Sequence, residues 1–244
     1  LVSALNPVQR QAVLHGDGPL LILAGAGSGK TRTLTHRVAH LIDERGVEPW
    51  RILAVTFTNK AAGEMRERLE ALLGAERLPW VSTFHAACVR ILRREIEALG
   101  FTSSFTIYDD RDSERLVKEV LIELRVPETA LAPRRAGALI DAAKNKGLTP
   151  ADYARRAEDQ EYMPAVYRRY QERLQRANAL DFGDLLLLTT RLFAEHPAVL
   201  DRYRGRFRHV LVDEYQDTNA VQYRLTNLLA SQHRNLCVVG DDDQ

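Results

Sequence analysis

The feature that most constrains this chain is an apolar run, Leu20-Leu21-Ile22-Leu23, that feeds directly into Ala24-Gly25-Ala26-Gly27-Ser28-Gly29-Lys30-Thr31. A helical stripe at Leu34, Val38, Leu41 and Ile42 follows. Strand, glycine-rich turn and helix in that order are the context a phosphate-binding loop needs. Glycines let backbone N–H groups turn inward around phosphate oxygens, and the helix N-terminus adds partial positive charge. In such a loop Lys30 reaches the β and γ phosphates of ATP and the Thr31 hydroxyl ligates Mg²⁺. Ala24 stands where the strict pattern has glycine, a small departure because its side chain is tiny. A dinucleotide-binding turn built on Gly25-x-Gly27 would need Gly or Ala at position 30, and Lys30 excludes it. A Gly-rich turn of purely structural use is the remaining alternative.

Four more apolar segments read as strands: Ile52 to Phe57, Trp80 to Phe84, His209 to Glu214 and Asn235 to Asp241. Most are continuous rather than alternating, which predicts burial of both faces. Ala61, Met65, Leu69 and Leu72 repeat the helical stripe after the second strand. The alternation predicts an α/β fold of the P-loop NTPase (RecA-like) type, a parallel sheet with helices on both faces. In such sheets ligands bind beyond the carboxyl ends of the strands. There the run Val210-Leu211-Val212 ends in Asp213-Glu214. Asp213 is expected to hold Mg²⁺, and Glu214 to orient and polarise the attacking water. Adjacent acids also decorate ordinary surfaces; their pairing with Lys30 gives them their meaning.

Between Asp109 and Ala179 the strand pattern gives way to charged helices punctuated by Pro127, Pro133, Pro150 and Pro164. The expected organisation is therefore a motor domain from residues 1–108 and 180–244, with a helical insertion at 109–179. Leu116, Val117, Val120, Leu121 and Leu124 mark the clearest helix of the insertion, with Asp112 as its expected N-cap. Arg134, Arg135, Lys144 and Lys146 form one basic cluster and Arg168, Arg169, Arg173 and Arg176 another. Each is open to two readings, a duplex contact or a solvated helix face.

The net charge of +1 excludes a uniformly basic coat and leaves local basic strips open. Cys88 and Cys237 have no metal-ligand spacing and read as reduced core thiols, which implies a cytoplasmic setting. No apolar run approaches the roughly 20 residues of a membrane span, so no membrane partner is expected. A start without Met and an end at Gln244 suggest a trimmed chain.

The phosphate loop together with Asp213-Glu214-Tyr215-Gln216-Asp217 resembles the UvrD, PcrA and Rep helicases, superfamily 1 motors that move 3′ to 5′ along single-stranded DNA. The resemblance covers essentially the whole chain, with motifs in family order. Leu5-Asn6-x-x-Gln9 is similar to the family's Q motif, which implies that Gln9 reads the adenine edge. With residues 24 to 31 and Arg32 it completes the implied nucleotide-binding set. Gly240-Asp241-Asp242-Asp243-Gln244 resembles the opening of motif III, which implies a catalytic role for Gln244 at the γ-phosphate.

On the DNA side, Thr56-Phe57-Thr58-Asn59-Lys60-Ala61-Ala62 matches motif Ia, and Ser82-Thr83-Phe84-His85 the next DNA-contacting motif. Leu180-Asp181-Phe182-Gly183-Asp184-Leu185 is similar to a further one, with Gly183 where close relatives often carry an acid. The implied contacts are Phe57, Thr58, Asn59, Lys60, Thr83, Phe84, His85, Asp181 and Phe182, with Lys144 and Asn145 toward duplex. Aromatic faces suit any base, and cations or N–H groups suit phosphate. Against this, Phe57, Phe84 and Phe182 read by themselves as core aromatics, and Thr83 and His85 as a helix cap with a buried imidazole.

The resemblance implies an ATP- and Mg²⁺-dependent motor on single strands and single/double-strand junctions. Repair or replication proteins are its expected partners, and a second motor domain of the same parent carries the arginine fingers. The chain alone is expected to be inactive. Two alternatives stand: the motor subunit of a helicase-nuclease complex, whose insertions are normally longer, and a P-loop ATPase that never touches nucleic acid.

Overall fold

The computed structural model describes residues 2–25, 27–156 and 161–241. Along the chain these form α1 (Pro7–Leu14), β1 (Leu20–Leu23), α2 (Lys30–Asp43), β2 (Ile52–Thr56), α3 (Asn59–Leu73), β3 (Trp80–Thr83) and α4 (Phe84–Glu95). Then come β4 (Thr106–Ile107), α5 (Asp110–Glu123), α6 (Pro133–Asn145), α7 (Pro150–Arg156), α8 (Met163–Arg176), β5 (Ala179–Leu180) and α9 (Phe182–Glu195). The last elements are α10 (Pro197–Arg206), β6 (His209–Val212), α11 (Ala220–Ala230) and β7 (Leu236–Gly240). They divide into two compact units, one of Leu1–Ala87, Pro197–Thr218 and Thr226–Gln244, the other of Cys88–His196 and Asn219–Leu225. The helical unit is thus wider than the 109–179 span expected where the strand pattern gives way to charged helices; on its C-terminal side α9 packs against α6 and shares its buried groups.

The sheet unit holds the five expected strands, parallel throughout, in the order β1-β7-β6-β2-β3. The chain leaves β1 at one edge, passes to β2 and β3 at the other side, and returns with β6 and β7 to fill the gap. Such an order brings the ends of β1, β6 and β7 side by side. Leu34, Val38 and Leu41 of α2 and Met65 and Leu69 of α3 pack on Ile52, Ala54, Leu211 and Val239 of the sheet. Full burial of each such large side chain contributes roughly 1.5 to 3 kcal/mol. All residues of β2, β3 and β6 are buried as expected. β1 departs: Leu21 and Leu23 are exposed, because β1 pairs only with β7 and only its Leu20 and Ile22 face meets the core.

The helical unit builds its own core from Leu116, Val117 and Val120 of α5, Ala136 and Ile140 of α6, and Val166, Tyr167, Tyr170 and Leu174 of α8. The N-cap of α5 is Asp109 and not Asp112: Asp109 accepts the Asp112 N–H at 2.8 Å. With acids at 109, 110 and 112, spacing could not single out the capping residue. A two-residue parallel ladder of β4 and β5 was also illegible, being too short to carry a period. Two arginines of the second basic cluster are paired on the helix: Arg169 bonds Glu123 and Glu172, and Arg173 bonds Glu119 and Glu123. Both cysteines are buried thiols, and burial pushes Cys88 up to about 12 and Cys237 up to about 11, which makes them unreactive at neutral pH.

Candidate nucleotide site and nucleic-acid interface

The chain leaves β1 with the Ala24 N–H bonded to Gly240 O, so the loop starts against the end of β7. Gly27 and Gly29 have φ of 75° and 84°, left-handed values that glycine adopts without a Cβ penalty. Gly25 accepts the Ser28 N–H across the turn, and Gly29 is the N-cap residue of α2. A Cβ on Gly29 would lie 2.9 Å from Gln9 Nε2. That nitrogen donates to Ser28 O at 2.9 Å, tying α1 to the loop. Asn6 and Gln9 form a reciprocal capping box at the start of α1, which fixes the Gln9 backbone. Arg32 donates to Ala4 O at 3.0 Å and fastens the same segment. Ala26 lies outside the described residues, as does Gln244.

The end of β6 supplies the acids. Asp213 is buried, its N–H bonded to Val55 O, and its Oδ2 accepts the Thr31 hydroxyl at 3.2 Å. Burial, then the neighbouring Glu214 charge, pushes the Asp213 carboxyl above its ordinary value. A cation at this point would offset both penalties. The hydroxyl of Thr31 and the carboxylate of Asp213 are hard oxygen donors suited to Mg²⁺, which takes few protein ligands and completes its shell with water and phosphate. Among the described residues no group of three or more His, Cys, Asp or Glu could hold a metal by itself.

Lys30 Nζ stands 3.0 Å from Asp241 Oδ2 and 4.0 Å from Glu214 Oε2. Glu214 has φ of 51°, a left-handed conformation that costs a non-glycine residue roughly 1 to 2 kcal/mol. Gln216 spans two strand ends: its Nε2 donates to Glu214 Oε2 at 2.5 Å and its Oε1 accepts the Asp241 N–H at 3.1 Å. A cleft of about 410 Å³ opens over these groups, lined by Gly27, Lys30, Thr31, Arg68, Glu214 and Asp241.

The expected DNA-side residues divide by exposure. Phe57 is partly buried at the end of β2, and Thr58, Asn59 and Lys60 are exposed at the start of α3. Thr58 caps α3 by accepting the Ala61 N–H at 3.1 Å. Phe84 corrects the expectation: it is buried edge-on against Phe57, with ring centroids 5.4 Å apart, so it supports that ring and offers no face to a base. Thr83 is buried and caps α4 through the Ala86 N–H, and His85 is partly buried in the first turn of α4.

In the helical unit, Lys144 is a second correction. Its side chain is 1% exposed and its ammonium sits 2.6 Å from Asp181 Oδ2 and 2.8 Å from Asp184 Oδ1, out of reach of any phosphate. Asp181 faces inward with it, and Phe182 is exposed. Asn145 donates to Asp141 and accepts from Asn219 Nδ2.

The family described as UvrD/REP helicase N-terminal domain matches residues 5–244. The chain belongs to that family. It is 52% identical over 248 residues to the ATP-dependent DNA helicase PcrA of Leuconostoc citreum, covering 100% of this chain and 33% of that protein. It is 49% identical over 247 residues to the PcrA proteins of Staphylococcus aureus and Staphylococcus epidermidis, covering 100% of this chain and 34% of each. The chain therefore spans about a third of the length of the curated relatives it matches. No helix among the described residues is long and apolar enough to cross a membrane.

Beside the residues legible in this UvrD/REP-family sequence, the geometry adds Arg68, Gln216 and Asp241. Arg68 lies on the exposed face of α3 and reaches the cleft only because α3 packs beside α2. Nothing in its spacing could have marked it. Gln216 and Asp241 stand inside motifs noted in the sequence, and their bond to each other requires β6 and β7 to be neighbours.

Proposed function

We propose that this chain is the ATP-binding half of an ATP-dependent DNA helicase that translocates 3′ to 5′ on single strands, in repair or replication restart in the cytoplasm. The observation that carries the reading is the convergence of Lys30, Thr31, Asp213 and Glu214 at the ends of β1 and β6, which flank β7, reached from sequence positions about 180 residues apart. Gln9, residues 24 to 31 and Arg32 would hold the nucleotide, and Thr31 and Asp213 would hold Mg²⁺, whose charge would stabilise the phosphates. Lys30 leaves Asp241 for the γ-phosphate, where its charge counters the charge that develops on transfer. Glu214, with one oxygen bonded to Gln216, orients the attacking water. Gln244, which lies outside the described residues, is assigned the γ-phosphate-sensing role by its place in the sequence motif alone.

Phe57 offers a ring to a base while the first-turn N–H groups of α3, which an α-helix leaves without internal partners, meet the adjacent phosphate. Thr58, Asn59 and Lys60 flank that turn, and Phe182 supplies a second ring. Asn145 lies toward the duplex of a single/double-strand junction. His85 and Thr83 shape the turn after β3. The share of the relatives' length that this chain spans supports a second motor domain in the same protein, with the arginine fingers. Such a finger contributes roughly 10³ to 10⁵ in rate, so residues 1–244 alone neither hydrolyse ATP usefully nor unwind.

The test is DNA-stimulated ATPase and strand separation by the full-length protein beside residues 1–244, with oligonucleotide binding followed against salt. Salt-sensitive binding and DNA stimulation of the full-length protein are expected. ATP turnover indifferent to DNA would establish the ATPase that never touches nucleic acid, and comparable activity of residues 1–244 would overturn the two-domain scheme.

A further inference from the structure

The helical unit buries an ion cluster that the nucleotide chemistry does not use. Lys144, near the end of α6, bridges Asp181 and Asp184. Those two carboxylates also cap α9 reciprocally: Asp181 Oδ1 accepts the Asp184 N–H at 2.8 Å and Asp184 Oδ2 accepts the Asp181 N–H at 3.2 Å. Two further donors complete the shell, Tyr170 OH to Asp181 Oδ2 and Gln171 Nε2 to Asp184 Oδ1, each at 2.9 Å. The turn is thereby held at both of its ends, Asp181 and Asp184. Gly183 lies so close to the Lys144 stem that a Cβ there would stand 2.8 Å from Lys144 Cδ. Phe182, between the two held neighbours, is 55% exposed.

Burying an ammonium is costly unless it is paired and hydrogen-bonded. Burial works against the Lys144 charge, but Asp181 and Asp184 outweigh it and hold the ammonium protonated. Such a cluster has two directional bonds from one rigidly packed cation to both ends of a four-residue turn. That geometry sets where the intervening side chain points. A surface capping box alone would leave the turn free to rock on the end of α9.

We propose that Lys144 is a positioning residue for strand binding: its ammonium locks the Asp181–Asp184 turn so that Phe182 is presented to a base, while Lys144 itself touches no nucleic acid. The inference rests on the nucleic-acid reading of Phe182 given above.

The experiment is a double-mutant cycle of Lys144→Met and Phe182→Ala in the full-length protein. Affinity for a single-stranded oligonucleotide is measured over a range of salt, with ATP affinity as the control for folding. Methionine keeps the apolar stem and removes the charge. Phe182→Ala is expected to weaken binding by roughly 5- to 150-fold, one base stack. Lys144→Met should fall in the same range, and the double variant should be no weaker than Phe182→Ala alone. The slope of log affinity against log salt should stay that of the parent protein. A slope reduced by about 0.7, the value for one single-strand phosphate contact, would show the ammonium reaching DNA and overturn the proposal. Full additivity of the two losses would overturn it as well. An unchanged affinity in Phe182→Ala, with the parent protein binding normally, sinks this inference and leaves the motor reading standing, whereas a parent that binds no oligonucleotide sinks the motor reading itself. Should Lys144→Met lose ATP affinity and fold, Tyr170→Phe, which removes one bond to Asp181 and no charge, carries the same cycle with the same sign.

Discussion

The sheet unit and the helical unit each place a lysine ammonium between two carboxylates, and the two arrangements differ in completeness. Lys144 has contacts of 2.6 and 2.8 Å, and each carboxylate oxygen of its two acids accepts at least one bond, from Lys144, Tyr170, Gln171 or a backbone N–H. Lys30 has one contact of 3.0 Å and one of 4.0 Å, borders an open cleft, and faces an Asp213 whose carboxyl is pushed above its ordinary value. A saturated cluster specifies a structure, because any exchange of partner loses bonds. An unsaturated one can exchange Asp241 for phosphate at small loss. Position on the fold decides between them: one cluster is closed by α6, α8 and α9, the other borders a cleft at the strand ends.

Substitutions test that contrast directly. The largest effect is expected at Lys144→Ala, which leaves two buried acids without their cation and should lower unfolding stability by about 3 to 5 kcal/mol. Chemical denaturation reads it, and a loss under 1 kcal/mol would show the cluster to be solvated. Lys30→Ala should leave stability close to the parent's and reduce ATP turnover by roughly 10² to 10³. Glu214→Gln should bind ATP and fail to hydrolyse it; near-normal steady-state turnover in either variant would remove the catalytic assignment. Phe57→Ala should weaken single-strand binding by about 1 to 3 kcal/mol with ATP affinity unchanged. Joint loss of both ligands would instead mark that ring as core packing against Phe84.

The smallest effect is read against pH. Burial, then the positive Arg37, pushes the buried His209 imidazole down to about 4, with Asp17 offsetting only part. A base whose folded pKa lies below its unfolded value near 6.5 contributes fully above 6.5, and the contribution is lost as pH falls toward 4. Between pH 7.5 and 6 the unfolding stability should drop by no more than about 1 kcal/mol from this group, and His209→Gln should flatten that part of the profile. A profile unchanged by the substitution would show His209 paired or hydrated in the folded state.

What the sequence determined by itself were the five parallel strands, the glycine-rich turn after β1 and the acids after β6. Each is written in consecutive residues: a buried strand is a continuous apolar run, and a loop that turns backbone N–H groups inward needs glycine at Gly27 and Gly29, where φ is positive. The turn at Phe57 to Lys60, where Thr58, Asn59 and Lys60 are exposed, was equally local. Tertiary structure alone decided what each charge meets. Lys144 and Arg134 belong to one basic cluster in the sequence, yet Lys144 is buried because α9 brings Asp181 and Asp184 to it from about 40 residues away. Phe57 and Phe84 share a residue type and a place after a strand, and only the neighbouring of β2 and β3 makes one the support of the other. Periodicity reports which face of an element is apolar. It carries no information on which distant side chain closes over a charge, and that closure sets whether a lysine holds the fold together or remains available to a ligand.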